Sequence, residues 1–371
     1  MPLNPYPMIN IIGAGPIGSY TAYLLAKAGE NVRIFEEHST IGSPVQCTGL
    51  VTSSINNIIK LEKNLILNKI KKARIYNGKN FFETGISDIV IDRRKFDQSL
   101  ADKAIKAGCE IFLNHKFVGI KNKKLVIKNL KINKNKKIDF ENDPLIGADG
   151  PNSLVRTFID KKNKINHWVG VQARARLNTG GGIFEVCLDK SPGFFGWVVP
   201  ENEGIVRIGL ATRKDPNRNF QRLLESKGLK KKDIIELQGG LIPIYNQNLT
   251  VQKGNIYLVG DAAAHVKATT GGGIIPGLVA ADCLAESVLN SKDYNKLLNR
   301  RLNLNLKAHL KLRNVLNNFS NSDANYLISL CNQKKIKKIL GKTNRDHPIK
   351  LLLSLAVREP RFFFFLKNVL K

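Results

Sequence analysis

Gly13-Ala14-Gly15-Pro16-Ile17-Gly18 has the GxGxxG spacing that lets a backbone meet a pyrophosphate. The first glycine permits a tight turn, the second lets phosphates approach, and the third lets a helix pack close to the strand before it. Pro16 opens that helix, whose N-terminus carries partial positive charge. Glu36 follows at the end of a second apolar stretch, where a carboxylate would accept from ribose hydroxyls. A dinucleotide is the ligand this set would hold, and the motif does not by itself separate FAD from NAD. Much later, Gly260-Asp261 follows the apolar run Tyr257-Leu258-Val259, so that Asp261 could accept from sugar hydroxyls or cap a helix. Ten residues on, Gly271, Gly272, Gly273 and Ile274 lead into a helix with Pro276 near its start. Three glycines let the backbone lie against a flat ring, and the helix N-terminus favours negative charge on that ring.

Two further segments, Asp92-Arg93-Arg94-Lys95-Phe96-Asp97 and Ile146-Gly147-Ala148-Asp149-Gly150, fall between these motifs. The four together, in this order, resemble the FAD-dependent hydroxylase and geranylgeranyl reductase superfamily. The resemblance implies FAD as cofactor and a glutathione-reductase-like fold. It places Asp261 on the ribityl chain, Arg93 near the ribityl-phosphate region and Asp149 as a support of the fold beside the cofactor. Val118 is counted with them as a cofactor-binding position.

Ile41-Gly42-Ser43-Pro44-Val45-Gln46-Cys47-Thr48-Gly49 resembles the Cys-Gly loop of geranylgeranyl reductases, which implies a place for Cys47 at the flavin's active face. Read from the residues alone, Cys47 is a proton donor, a polar spacer or a small buried hydrophobe, the last being the usual role of an isolated cysteine. Pro192-Gly193-Phe194-Phe195-Gly196-Trp197-Val198-Val199-Pro200 is similar to their aromatic YxWxFP motif, with Phe195 in place of tyrosine and Val199 in place of phenylalanine. Phe195 and Trp197 are thereby candidates for the catalytic wall. His265 reads as a local hydrogen-bonding residue ahead of an acid, and Lys267 as charge near the flavin or a solvated side chain.

These residues need a frame. Met8 to Ile12, Pro16 to Ala28 and Val32 to Glu36 read as strand, helix, strand, the start of an α/β Rossmann-like domain with a parallel sheet. The stretch from residue 51 to 91 is less regular. A helix is expected from Phe96 to Gly108, then a lysine-rich hairpin with its tip at Asn133 to Lys136. Between Trp168 and Leu210, Val171, Ala173, Ala175 and Leu177 alternate with Gln172, Arg174 and Arg176, the pattern of a half-buried antiparallel sheet. Pro200 to Gly204 is its later turn. The expected division is a discontinuous FAD-binding domain at 1–165 and 250–290, an antiparallel substrate domain at 166–249 and a basic helical region at 291–371.

The 371 residues carry a formal net charge of +29, with 59 Lys+Arg against 30 Asp+Glu. Residues 291 to 371 hold eighteen Lys/Arg against four Asp/Glu and so supply nearly half of the excess. Basicity of this kind draws nucleic acid, anionic lipid or acidic substrates. The five cysteines are scattered, without the close spacing of a zinc site or disulfide framework, and no metal is expected. No apolar run reaches the roughly 18 residues of a membrane span. The expected setting is the cytoplasm; the basic helices with their apolar runs at Leu351-Leu352-Leu353 and Phe362 to Phe365 read either as an internal helix core or as a surface that meets a membrane.

The reading that joins these parts is a flavoprotein that saturates isolated double bonds of geranylgeranyl chains, as in archaeal-type ether lipids. An aromatic hydroxylase or halogenase, and an RNA-binding or RNA-modifying flavoprotein, stand behind it; the tail lacks the aromatic spacing of a single-strand binder. The electron donor is open among NADPH, ferredoxin and other carriers, there being no second GxGxxG.

Overall fold

The computed structural model describes residues 7–140, 143–180 and 182–368. Its first sheet has six strands, with Met8–Ile12 at the centre between Asn31–Phe35 and Leu145–Gly147, both parallel to it. Glu110–Phe112 and Ile256–Leu258 extend the parallel pairing on either side. Ile9, Ile11, Ile34, Leu145, Ile146 and Leu258 are buried, as strands covered on both faces require. Helices Pro16–Lys27, Arg93–Lys106 and Ile274–Asn290 pack against this sheet and one another. The first ends at Lys27 as expected; the second starts earlier than the apolar pattern indicates, because Asp92 caps it by accepting from Lys95 N.

The second sheet has eight strands, ordered 234–243, 167–176, 205–212, 196–200, 183–187, 66–77, 80–91 and 50–52. Residues 50–91, grouped by sequence with the dinucleotide-binding part, thus pair into this large sheet. The irregular stretch is in fact a hairpin of two twelve-residue strands, Ile66–Asn77 and Asn80–Ile91. Register shifts at Ile66/Asn68 and Ile70/Lys72 break its alternation. Its turn puts Gly78 first, at φ +61°, the position where a two-residue hairpin turn needs glycine.

The half-buried reading of His167–Arg176 needs correction. Ala173 and Ala175 face a core with Phe220, Leu223 and Leu224 of the helix Pro216–Ser226. Gln172, assigned by alternation to solvent, is 4 % exposed because the other face of the strand covers a cavity. The turn at 201–204 lies where the sequence puts it.

The lysine-rich segment forms three strands, His115–Lys121, Lys124–Asn129 and Lys134–Asp139. Its second turn is residues 130–133, earlier than expected, since Asn129 Oδ1 accepts from Lys131 N and Ile132 N and closes the chain there. Beyond residue 290 the chain is helical, as expected. Ile328, Cys331, Ile336 and Leu355 from this region bury Phe82 of the long hairpin, so the basic region covers one face of the large sheet.

Candidate active site

The glycine loop is shaped by contacts that exclude larger residues. Gly13 has φ +100°, and a Cβ there would lie 2.5 Å from the Ala148 carbonyl oxygen. A Cβ on Gly18 would lie 2.0 Å from Gly13 O, so this glycine sets how closely the helix approaches, and it does not line the cleft. At Gly15 nothing stands within 4 Å of that position, which leaves the backbone open toward the cleft. Glu36 Oε2 accepts from Ala14 N at 2.7 Å and Oε1 from His38 N at 2.9 Å. The carboxylate therefore braces the loop, with lone pairs to spare for a ribose. Asp149 Oδ2 accepts from the backbone N–H groups of Leu154 and Val155, which fixes the turn beneath the loop. Near this end Lys116 and Phe117 line the cleft; Val118 does not, its side chain being 39 % exposed on the outside of the strand.

Arg93 and Asp97, one helical turn apart, form a two-pronged ion pair at 3.0 and 2.9 Å. Burial works against the Arg93 charge, but Asp97 and then Cys47 outweigh it and hold the guanidinium above its ordinary range. Cys47 Sγ accepts from Gly49 N at 3.3 Å and lies beside the Arg93 guanidinium. The loop carrying it is pinned at the next residue: Thr48 Oγ1 donates to Gln172 Oε1 at 2.9 Å and Thr48 O accepts from Arg207 at 2.6 Å. Gln172 Oε1 also accepts from Trp197 Nε1 at 3.1 Å. The indole N–H is thus satisfied within the protein, and Trp197 presents an apolar face to the cavity. Phe195 stacks on Phe194 at 4.4 Å and meets Trp197 edge-on at 6.0 Å.

The strand Ile256–Leu258 delivers Asp261 to the cleft floor; the Asp261 carbonyl accepts from Ala264 N, while its carboxylate accepts no hydrogen bond from another described residue. Desolvation pushes its carboxyl up to about 6, against a smaller pull from Arg93. A Cβ on Gly273 would lie 2.8 Å from Asp261 Oδ1, and Gly271 has φ +68°. Glycine is therefore required for this loop to run flat beside the carboxylate. Ile274 opens the following helix and lines the same cleft. His265 is 1 % exposed, off the cleft, and held neutral by burial, its pKa down at about 3. Its Nδ1 has no partner among the described residues, which sets it aside as an acid.

Sequence reasoning missed the braces behind this loop. Arg313, in the C-terminal helix Leu304–Asn317, donates to Ala268 O at 3.0 Å and Thr269 O at 2.6 Å, and its guanidinium lies 4.6 Å from the Phe194 ring. His309 Nδ1 contacts Thr269 Oγ1 at 2.7 Å, and Lys267 pairs with Asp346. Gln172, Arg207, His309, Arg313 and Asp346 carry no local motif. The available signal was polar residues inside otherwise apolar periodic stretches.

One cavity of about 1450 Å³ runs from Gly13 and Glu36 past Cys47 and Asp261 to Phe184, Val186 and Leu327. That exceeds the roughly 300–1,000 Å³ of a single small-molecule site, so it has room for a dinucleotide and a second ligand. The family model for the FAD binding domain matches residues 6–279. The chain belongs to that family. Its cofactor is FAD, and the open backbone at Gly15, the Asp261 carboxylate and the flat glycine loop fit it. This flavoprotein is 30% identical over 317 residues to digeranylgeranylglycerophospholipid reductase of Thermoplasma volcanium, covering 77% of this chain and 79% of the relative. It is 27% identical to the enzyme of that name from Methanothrix thermoacetophila, over 75% and 77% of the two chains. Its fold matches a geranylgeranyl bacteriochlorophyll reductase-like protein of Thermoplasma acidophilum with a TM-score of 0.84 at 24% identity, over 98% of this chain and 100% of that one. The flavin-dependent halogenase CmlS shares the fold at a TM-score of 0.69 and 16% identity, over 97% and 78%. The chain is an FAD-dependent oxidoreductase of the geranylgeranyl reductase type.

Proposed function

We propose that this enzyme saturates isolated double bonds of geranylgeranyl chains carried on membrane ether lipids or their precursors. The observation that carries the reading is the shape of the cavity: past the flavin seat it continues into an apolar gallery. Ala73, Ile75 and Phe82 of the long hairpin form one wall, with Phe184 and Val186 beside them and Leu327 and Leu340 of the C-terminal helices opposite. A branched hydrocarbon fits these apolar side chains.

Bound FAD, once reduced, supplies hydride to one alkene carbon. The residues of the chain then have separate tasks. Gly13, Gly15 and the helix opened by Pro16 hold the diphosphate, Glu36 a ribose, and Asp261 the ribityl hydroxyls. Gly271, Gly272, Gly273 and Ile274 flank the ring. Phe195 and Trp197 keep water from the double bond. Cys47, whose loop is pinned through Thr48, is the residue that delivers the proton to the second alkene carbon. The carrier that reduces the flavin is a separate partner, NADPH, ferredoxin or another. The basic helical region rests on anionic headgroups, so the cavity opens toward the lipid that supplies its substrate.

Mass spectrometry tests the reading directly. Purified enzyme, chemically reduced and incubated with a geranylgeranylated glycerophospholipid, is expected to add two hydrogens per reduced bond. Unchanged lipid together with rapid, substrate-dependent oxygen consumption would replace the reductase by a monooxygenase.

A further inference from the structure

Lys267 stands directly behind the glycine loop. Its N–H donates to Gly272 O at 3.2 Å and its carbonyl accepts from Gly271 N at 2.8 Å, so the two strands of the loop close on this residue. A Cβ built on Gly272 would lie 3.2 Å from Lys267 Cε and 3.6 Å from Nζ. The ammonium and the Asp261 carboxylate thus flank consecutive glycines, and both residues line the cavity. The Lys267 side chain is 9% exposed and pairs with Asp346, which comes from the C-terminal helical region. The other Asp346 oxygen accepts from Ser54 Oγ at 2.6 Å and from Thr52. Around the pair, Arg345 is neutralised by Asp88, and His309 is held neutral by burial, with its pKa down at about 3.

A buried ion pair is expensive, and an apolar pair of equal volume would hold the two segments together as well. Its place at the back of a cofactor loop points to a charge with a task. We infer that Lys267 is an electrostatic positioning residue for the flavin: its ammonium favours the extra negative charge of the reduced ring, and Asp346 attenuates that charge from the C-terminal region. The inference deepens the seat assigned above to Gly271–Gly273 and rests on it. A cation near a charge that develops only on reduction stabilises the reduced cofactor more than the oxidised one. The ion pair therefore sets the driving force for hydride transfer, and the C-terminal region takes part in it through the turn that carries Asp346.

The test uses the full-length enzyme loaded with FAD, with the flavin's two-electron potential measured by dye equilibration at pH 6. Lys267→Met is expected to disfavour the reduced flavin about tenfold, a fall of about 30 mV for a two-electron couple. Asp346→Asn, which frees the ammonium from its partner, is expected to shift the potential the opposite way, and Lys267→Arg to keep it near wild type. Since Lys267→Met leaves Asp346 buried without its partner, the double variant Lys267→Met/Asp346→Asn removes both charges and is expected to fall as the single variant does. Potentials that stay put, or move in the same direction for Lys267→Met and Asp346→Asn, overturn the inference. Loss of FAD from all the variants would assign the pair to the fold and overturn it equally. A wild-type chain that binds no FAD would instead sink the flavin seat itself.

Discussion

Asp261 shows how a binding residue works against the stability of the empty protein. Its carboxyl is pushed up to about 6 by desolvation, from an ordinary 3.8. As pH rises the unfolded chain therefore releases this proton first, and folding is penalised progressively between about pH 4 and pH 6 and fully above. FAD hydroxyls donating to the carboxylate would offset that penalty. In the FAD-free protein, Asp261→Asn is expected to raise stability at pH 7 by roughly 1–3 kcal/mol and to change it little at pH 4. The same variant is expected to weaken FAD binding about 10- to 100-fold, the loss of hydrogen bonds to a charged group. Urea unfolding at the two pH values and a flavin fluorescence titration measure both effects. An Asn variant less stable than wild type at pH 7 would contradict the desolvation argument.

The glycine-loop helix, Pro16–Lys27, is placed by one missing side chain at the scale of elements. Because a Cβ on Gly18 would stand 2.0 Å from Gly13 O, even alanine must push the helix off the loop that cradles the diphosphate. Gly18→Ala is expected to destabilise the protein by about 1–3 kcal/mol, the usual cost of overpacking. FAD affinity should fall with it, although residue 18 does not line the cleft. Thermal melts with and without FAD check this; a smaller FAD-induced stabilisation than in wild type is the signature. The same logic applies to the loop bearing Cys47. Gln172 ties it to Trp197, and Arg207 ties it to the strand Ile205–Thr212 and to Ile91 O, so the thiol is positioned by the large sheet.

The whole molecule is a flavin clamp closed by its basic region. Residues 291 to 368 carry lining residues of the cavity, the Arg313 brace and, in a turn between helices, the Asp346 partner of Lys267. Their outer surface leaves Leu353 63%, Val357 79% and Phe363 57% exposed, among Lys350, Arg358 and Lys367. Among the described residues no helix is long and apolar enough to cross a membrane. Contact at a membrane surface is the arrangement such a face suits. Vesicles containing anionic lipid are expected to sediment the enzyme, with binding that weakens as salt rises. Leu353→Glu with Val357→Glu is expected to abolish sedimentation while the flavin content stays unchanged. Sedimentation that is indifferent to both salt and this double substitution would leave the surface without a membrane role.

Much of the cofactor seat is local chemistry, and the amino-acid sequence alone determined it. GxGxxG, the acidic residue at 36 and the glycines after Asp261 each work over a few neighbouring positions, where spacing dictates geometry. The first strand–helix–strand unit followed from apolar period for the same reason, whereas the strands of residues 66–91 did not. Tertiary structure alone decided which distant segments meet. The hairpin of residues 66–91 joins the large sheet, Gln172 turns inward to a cavity, and Arg313 and Asp346 reach a loop tens of residues away. Such polar partners are chosen by burial, which requires each donor and acceptor to be met wherever the chain happens to pass. No pattern along the chain records that requirement.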